Sequence, residues 1–372
     1  MLLYDIAFNL VMAGFDLLLI WTLTGVWRRR GFGLRASAAS LSFLALPLLL
    51  SRATSEIFDF RYFGTFRFLG MAAFWHLPIL LLALGWIYRV HHILRICLVS
   101  GAVLILSLYV YAFHIEPHWL EVSHYTFTST KLKGLERPIT IAQVADFQTD
   151  HIGEYEIRVI KTLADLKPDM IVYNGDYVHT FTLESWAKLA SQLHDLLMAA
   201  HLDPPFGSYA VIGDVDDERL WPMIFANQKV KMLNDEATVV QLPGCRVNLT
   251  GLRLKSSRAT ELEEIEKASK GREDGLLDLY IGHSPDFVEL LGDRKEDFLA
   301  LAGHTHGGQV RLPFYGPLMT LSRLPRKFAD GFLPYGSGTL SVARGIGMER
   351  CDAPRLRFLC RPELRVVTLL PP

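Results

Sequence analysis

Two kinds of hydrophobic pattern meet near residue 120. Upstream, apolar residues run on almost without charge: Ile6 to Trp27 carries one charged side chain, Asp16, and Ala36 to Ser51, Phe68 to Tyr88 and Ile96 to Phe113 follow. At 1.5 Å per residue, about 20 apolar residues cross ~30 Å of hydrocarbon. The pattern predicts four membrane-spanning helices, of which the second run is the shortest. Downstream, from Pro117, the runs shorten and alternate with polar residues. Glu121-Val122-Ser123-His124-Tyr125-Thr126-Phe127 reads as a strand with one buried face, and Lys131-Leu132-Lys133-Gly134 as a turn. Ile139 to Ala145, Met170 to Tyr173, Tyr209 to Ile212, Leu277 to Ile281 and Phe298 to Ala302 read as buried strands, while Glu154 to Leu166 and Ser185 to Ala200 have helical periodicity. The expected division is a transmembrane module at 1–116 and a soluble α/β domain at 117–372.

Charge follows the same division. The 38 basic and 39 acidic residues give a net charge of −1 over 372 residues. Residues 1–120 nevertheless hold nine Arg, no Lys and five acids, so an N-terminal part of +4 precedes a C-terminal part of −5. A nearly neutral whole argues against non-specific nucleic-acid binding, which needs a basic face. Mean hydropathy of +0.22 is too apolar for a uniformly soluble chain and too polar for an all-membrane transporter. No internal repeat of the kind found in transporters is visible. The four cysteines, Cys97, Cys245, Cys351 and Cys360, form no CxxC pair; Cys351 and Cys360 either remain thiols or bridge in an oxidising compartment.

The cluster Arg28-Arg29-Arg30 follows the first apolar run instead of preceding it, which favours a retained anchor over a cleaved signal peptide. Arginines in the first and third loops (Arg28, Arg29, Arg30, Arg35, Arg89, Arg95) outnumber those in the second (Arg52, Arg61, Arg67). By the positive-inside rule a multi-pass protein of a bacterial inner or plasma membrane is expected, with its large domain outside the cytoplasm. Asp16 and His76 are ionisable at membrane depth; they either hold helices together or serve a function of their own.

Chemistry gathers at the strand ends. The five short runs lead into Asp146, Asn174-Gly175-Asp176, Gly213-Asp214, Gly282-His283 and Gly303-His304-Thr305-His306. Strands that release side chains at their C-terminal ends are how an α/β scaffold converges them on one point. Singly, such residues cap helices or face water. Five in series point to a metal site, and two imidazoles two residues apart on a glycine-rich loop can face neighbouring ions.

These segments resemble the calcineurin-like metallophosphoesterases, whose ordered signature is Asp-x-His, Gly-Asp, Gly-Asn-His-Asp/Glu, a lone His and Gly-His-x-His. The corresponding segments are Ala145-Asp146-Phe147-Gln148, Gly175-Asp176, Gly213-Asp214-Val215-Asp216, Gly282-His283 and Gly303-His304-Thr305-His306. The resemblance extends from about residue 120 to 370, through Gly345-Ile346-Gly347, Pro354-Arg355-Leu356-Arg357 and Arg361-Pro362-Glu363. In detail the chain is similar to the membrane-anchored branch related to UDP-2,3-diacylglucosamine pyrophosphatases. The resemblance implies an α/β fold, a four-layer αββα sandwich preceded by an all-α transmembrane module. It also implies two divalent cations, with Asp146, Asp176 and His306 on the first and Asp214, His283 and His304 completing the second around a bridging Asp176. Such a pair acidifies a bridging water and holds phosphoryl oxygens. The mixed oxygen and imidazole set suits Mn²⁺, Fe²⁺ or Zn²⁺.

Three positions depart from the signature. Gln148 replaces an imidazole ligand with a neutral amide oxygen; His151, three residues on, either substitutes or is solvated. Asp214 replaces Asn and adds a charge. Val215 replaces the histidine that would touch the scissile phosphate, and valine can neither donate a proton nor stabilise charge. Loss of a general acid costs about 10² to 10⁴ in rate, least for an acidic leaving group such as a phosphate. His179 is a candidate replacement donor, making Asp176, His304 and His179 the expected catalytic residues. Beyond the histidine pair, Arg323, Arg326 and Lys327 interleave with Leu318, Met319 and Leu324, which suits a phosphate head group beside acyl chains or equally a packed surface loop. The expectation is a membrane-tethered phosphodiesterase or pyrophosphatase acting on a phosphate-containing lipid or lipid-linked substrate. The alternative is a degenerate domain that binds a phosphate ligand or a protein without turnover.

Overall fold

The computed structural model describes residues 3–27, 47–56 and 61–372. The chain forms two compact units: one runs to His114 and takes in Asp352–Arg355, and the other comprises Ile115–Cys351 and Leu356–Pro372.

The first unit is helical: α1 (Leu3–Trp27), α2 (47–56), α3 (Arg61–Met71), α4 (Leu77–Ile87) and α5 (His92–Val110), with a π-helical turn, Ala72–His76, joining α3 to α4. Among the described residues, three helical stretches are long and apolar enough to cross a membrane: Tyr4–Thr22, Phe63–Ile87 and His92–His118. The expected second span, Ala36 to Ser51, lies outside the described residues except for its last five positions, as do Arg28, Arg29, Arg30 and Arg35. The apolar residues of these helices turn largely outward, with Trp21, Trp86 and Ile93 well exposed, as lipid-facing side chains are. Inside, Phe8, Met12, Phe68 and Ala72 pack together. Asp16 and His76 pair: His76 Nδ1 lies 2.7 Å from Asp16 Oδ2, and its Nε2 lies 2.9 Å from Asn9 Oδ1. Joining α1 to the π turn in this way pairs ionisable groups that are buried among apolar helices.

The second unit contains two six-stranded mixed sheets. The first has the order β1 (Glu121–Thr128), β14 (Glu363–Leu370), β2 (Ile139–Val144), β3 (Met170–Tyr173), β4 (Ser208–Ala210), β5 (Val230–Met232). The second runs β12 (Gly331–Tyr335), β13 (Gly338–Val342), β9 (Phe298–Ala302), β8 (Leu277–Ile281), β7 (Cys245–Gly251), β6 (Glu236–Leu242). A short ribbon pairs β10 (Arg311–Leu312) with β11 (Gly316–Pro317). Within each sheet the central strands β2, β3, β4 and β7, β8, β9 run parallel. Parallel strands buried on both faces read as unbroken apolar runs, which is why the sequence betrays them.

Side-chain alternation sorts the core into layers. Ala142, Ile171 and Tyr173 face Val159, Leu163, Leu189 and Leu193 of helices α6 (Glu154–Asp165) and α7 (Leu183–Ala199). Their neighbours Ile141 and Val172 meet Leu279 and Leu301 between the sheets. On the far face of the second sheet, Tyr280 and Ala300 pack with Phe287 and with Ile265 of α9 (Leu262–Ala268). The layers are therefore helix, sheet, sheet, helix. α6 starts at Gly153, whose N–H is capped by Glu156 Oε2 at 3.0 Å, and α7 at Thr182, whose hydroxyl accepts from Ser185 N.

Candidate metal centre

The parallel strands of both sheets end on the same side of the sandwich, and their last residues meet. Asn174, just after β3, fixes the approach: its Nδ2 donates to Gly282 O (2.9 Å) and Leu301 O (2.8 Å) of the opposite sheet. These bonds draw the ends of β3, β8 and β9 together. Five of the side chains here adopt positive φ without being glycine: Asp146 (47°), Gln148 (37°), Asp176 (58°), His304 (70°) and His306 (49°). Left-handed backbone costs about 1 to 3 kcal/mol per such residue and concentrates at functional sites.

Two overlapping groups of ligand atoms result, Asp146 with Asp176 and His283, and Asp214 with His283 and His304, each with its atoms within 4.8 Å of one another. Asp146 accepts from His304 N at 2.9 and 3.0 Å through its two oxygens. Asp176 Oδ1 accepts from Val215 N (3.0 Å), and Oδ2 from Gln148 Nε2 (3.1 Å). Asp214 Oδ1 lies 2.7 Å from His283 Nε2 and 3.4 Å from His304 Nδ1. His306 stands apart from both groups, its Nε2 3.8 Å from Glu349 Oε1.

The imidazole tautomers are set from behind. His283 Nδ1 donates to Asn174 O (2.8 Å) and His304 Nε2 to Leu321 O (2.8 Å); this leaves His304 Nδ1 as a lone pair, while His283 Nε2, 2.7 Å from Asp214 Oδ1, holds a proton toward that carboxylate that a cation would displace. Burial pushes the Asp146 carboxyl up to about 6, and burial with Asp214, Asp216 and Asp146 raises Asp176 well above the usual range. His283 shifts upward despite burial, because Asp176, Asp214 and Asp146 surround it. Burial and the His283 charge lower His304 to about 4, while burial with Arg357 holds His306 well below its ordinary value.

A divalent cation fits this set. Gln148 Oε1 and both ring nitrogens of His306 are buried without a hydrogen-bond partner, a costly state unless they serve as ligands. The surrounding backbone leaves no room for other occupants of the carboxylate positions. A Cβ on Gly213 would overlap Asp176 Oδ1, and one on Gly345 (φ +73°) would lie 2.7 Å from Asp146 Cβ.

The other expected residues lie as follows. His179 Nδ1 is 3.8 Å from Glu349 Oε2 at the edge of the centre. His151 is largely exposed and lies 3.4 Å from Asp150 Oδ1, away from the ligand groups. Arg323 is exposed but tied down by backbone and a neighbouring carboxylate: Nη1 donates to Arg258 O (3.1 Å), Nη2 to Ala259 O (2.9 Å) and Nε to Glu289 Oε2 (3.2 Å). Arg326 stacks on Tyr315 at 4.4 Å and Lys327 on Phe328 at 4.8 Å. The four cysteines are all free thiols.

Four residues that strand-end reasoning did not assign take part. Asp216 accepts from Asp176 N (2.8 Å), Tyr177 N (2.8 Å) and Gly213 N (2.9 Å), clamping two ligand loops together. Arg258 Nη2 lies 2.5 Å from Asp214 Oδ2. Arg357, fully buried, donates to the carbonyls of Gly347, Cys360 and Arg344 and shapes the loop that covers Asp146. Glu349, in that loop, has its carboxyl pushed up to about 7 by burial and by Asp214 and Asp146. Asp216 within its motif and Arg357 within the resembling Pro354–Arg357 segment carried a signal; Arg258 and Glu349 come from loops without a pattern.

Glu349 gives a pH-dependent stability. Its carboxyl titrates near 7 folded and near 4.5 unfolded, so folded protein binds the proton more tightly and stability is lost as pH rises through 7. Glu349→Gln imitates the protonated form. In the metal-free protein it should raise stability at pH 8 by about 2 kcal/mol and by little at pH 5, measured by urea unfolding. Equal gains at both pH values would rule this out.

The chain is similar over most of its length to proteins named as phosphoesterases. The metallophosphoesterase YkuE of Bacillus subtilis (strain 168) is 28% identical over 284 residues, covering 73% of this chain and 93% of the relative. Phosphodiesterase YaeI of Escherichia coli (strain K12) is 26% identical over 264 residues, 70% of this chain and 92% of that one. UDP-2,3-diacylglucosamine pyrophosphatase LpxG of Chlamydia trachomatis serovar D is 24% identical over 316 residues, 70% of this chain and 93% of that one. No protein-family model matches the chain. Its homologues are thus metallophosphoesterases, phosphodiesterases and pyrophosphatases, which supports a metal-dependent phosphoester hydrolase.

Proposed function

We propose that the chain is a membrane-tethered, metal-dependent hydrolase of phosphodiesters or pyrophosphates whose substrate is a lipid or lipid-linked phosphate. Residues 1–116 form its membrane module and 117–372 its phosphoesterase domain. The observation that carries the reading is the convergence of Asp146, Asp176, Asp214, His283 and His304 from five strand ends of two sheets, beside buried polar atoms of Gln148 and His306 that have no hydrogen-bond partner. Asp146, Gln148, Asp176 and His306 are the ligands proposed for one cation, and Asp176, Asp214, His283 and His304 for the other. Bound there, two cations would neutralise phosphoryl charge and acidify a water.

The protein's own groups do the positioning. Val215 contributes a backbone N–H that holds Asp176 Oδ1, and its side chain supplies no proton. Without a general acid the reaction favours leaving groups that depart as stable anions, which selects an anhydride or an acidic phosphodiester over an alkyl monoester. The lipid-linked character rests on the three apolar helices and on the lipid pyrophosphatase LpxG among the relatives.

The test is metal analysis of purified protein together with hydrolysis of bis-p-nitrophenyl phosphate and of lipid pyrophosphates. Two cations per chain and turnover of both substrate types are expected. Protein that takes up no Mn²⁺, Fe²⁺ or Zn²⁺ and cleaves neither would overturn the proposal. Alkaline phosphatase fused after Pro372 should be active in bacteria if the domain lies outside the cytoplasm; an inactive, stably expressed fusion would place it inside.

A further inference from the structure

The proposed chemistry lacks a group on the leaving side, because Val215 stands where the signature has histidine. A cation reaches Asp214, the residue before Val215, from a different loop. Arg258 follows the short helix α8 (Leu254–Ser257), and its guanidinium lies at the open rim of the centre. Its side chain is 37% exposed and that of Asp214 30%, whereas those of Asp146, Asp176 and His283 are at most 3% exposed. Solvent, and so substrate, meets the ligand groups on the side where Arg258 stands.

The backbone under Arg258 is fixed from several directions. Asp235 accepts from Arg253 N (3.1 Å) and Ser256 Oγ (2.8 Å), and Ser257 Oγ accepts from Ser284 N (3.3 Å), next to His283. Arg323 holds the carbonyls of Arg258 and Ala259 from below. A pre-positioned donor of this kind needs no reorganisation when charge develops.

The guanidinium itself has spare capacity. Nη2 touches Asp214 Oδ2, the oxygen turned away from His283. It also lies 3.1 Å from His304 Nε2, which already donates to Leu321 O, so two donors face each other there. Turning the planar fork onto an anionic oxygen relieves that conflict and makes a charge-assisted pair.

Resting on the phosphoesterase reading above, we propose that Arg258 is the substrate-phosphate donor of this site, binding non-bridging and leaving oxygens in the place of the histidine absent at Val215. Hydrolysis joins a water oxygen to phosphorus and expels the leaving oxygen with the bonding electron pair. Arg258 stabilises that oxygen's charge and keeps its own protons, and the leaving oxygen takes its proton from solvent. Arg323 acts through Arg258 and is a positioning residue.

The experiment compares wild type with Arg258→Met and Arg258→Lys in the full-length protein. Metal content, thermal midpoint, competitive inhibition by inorganic phosphate and kcat/KM on aryl phosphodiesters of graded leaving-group acidity are measured for each. Arg258→Met should keep two cations per chain while kcat/KM falls about 10²- to 10³-fold, most for the least acidic leaving group. Inhibition by phosphate should weaken at least tenfold. Arg258→Lys should recover part of both, since a point charge lacks the fork. Phosphate inhibition and kcat/KM within threefold of wild type would overturn the proposal, as would a loss that only follows loss of metal, because Arg258 would then merely hold Asp214. Wild-type protein that loads no cation defeats the phosphoesterase reading itself, a result distinct from either.

Discussion

Replacing Asp176 by Asn should abolish turnover, by at least about a thousandfold, and reduce metal content from two cations per chain to one or none. Asp176 touches three loops of the centre: Oδ1 is held by Val215 N, while Oδ2 faces Gln148 Nε2 and lies 3.4 Å from His283 Nε2. The amide preserves shape and removes charge. Its oxygen can still accept from Val215 N, and its NH₂ can donate to Gln148 Oε1, a buried acceptor that has no partner in the wild type, once that amide flips. The fold should therefore survive with a thermal midpoint near the wild type, and the loss should register in inductively coupled plasma analysis and in phosphodiester hydrolysis. A variant that keeps two cations and turns over within tenfold of wild type would show that Asp176 is not shared between metals.

Arg357→Met should be the most destabilising single change around the centre, by at least about 3 kcal/mol, lowering the thermal midpoint by about 6 to 12 °C. Arg357 is completely buried, and its guanidinium donates to Gly347 O (2.9 Å), Cys360 O (3.0 Å) and Arg344 O (2.8 Å). Methionine fills much of the volume and supplies none of these donors, so several buried carbonyls lose their partners at about 1 to 3 kcal/mol each. The loop they belong to also covers the site, with Ile346 N bonded to Ala145 O and Gly347 N to Asp146 O. Cation affinity should fall along with stability. Calorimetry with and without added Mn²⁺ measures both, and a midpoint within 2 °C of wild type would contradict the argument.

The convergence of the candidate site was legible in the sequence because its residues follow buried parallel strands, and an apolar run that stops at Asp, His or Gly announces both the strand and its end. Asp146, Asp176, Asp214, His283 and His304 all obey that rule. The residues that shape the centre do not. Arg323, Arg326 and Lys327 stand out as a cationic stretch, yet Arg323 bonds backbone carbonyls and the other two lie over aromatic rings. Arg258, with an ordinary neighbourhood in sequence, lies beside Asp214, 44 residues away. Glu349 is likewise placed by a loop whose course depends on Arg357.

Local pattern alone determines the two hydrophobic regimes of this chain, the helices and strands of its soluble part and the residue types at the strand ends, since each depends on neighbours a few positions away. Tertiary structure decides what those residues face. β14, the last strand, inserts between β1 and β2 of the first sheet, and the segment around Gly345–Gly347 lies against Asp146. No periodicity encodes that insertion, because a strand's partners are chosen by the summed packing of both sheets. For the same reason Val215 reads in sequence only as a lost histidine, while in space its neighbour Asp214 is paired with Arg258 from a distant loop.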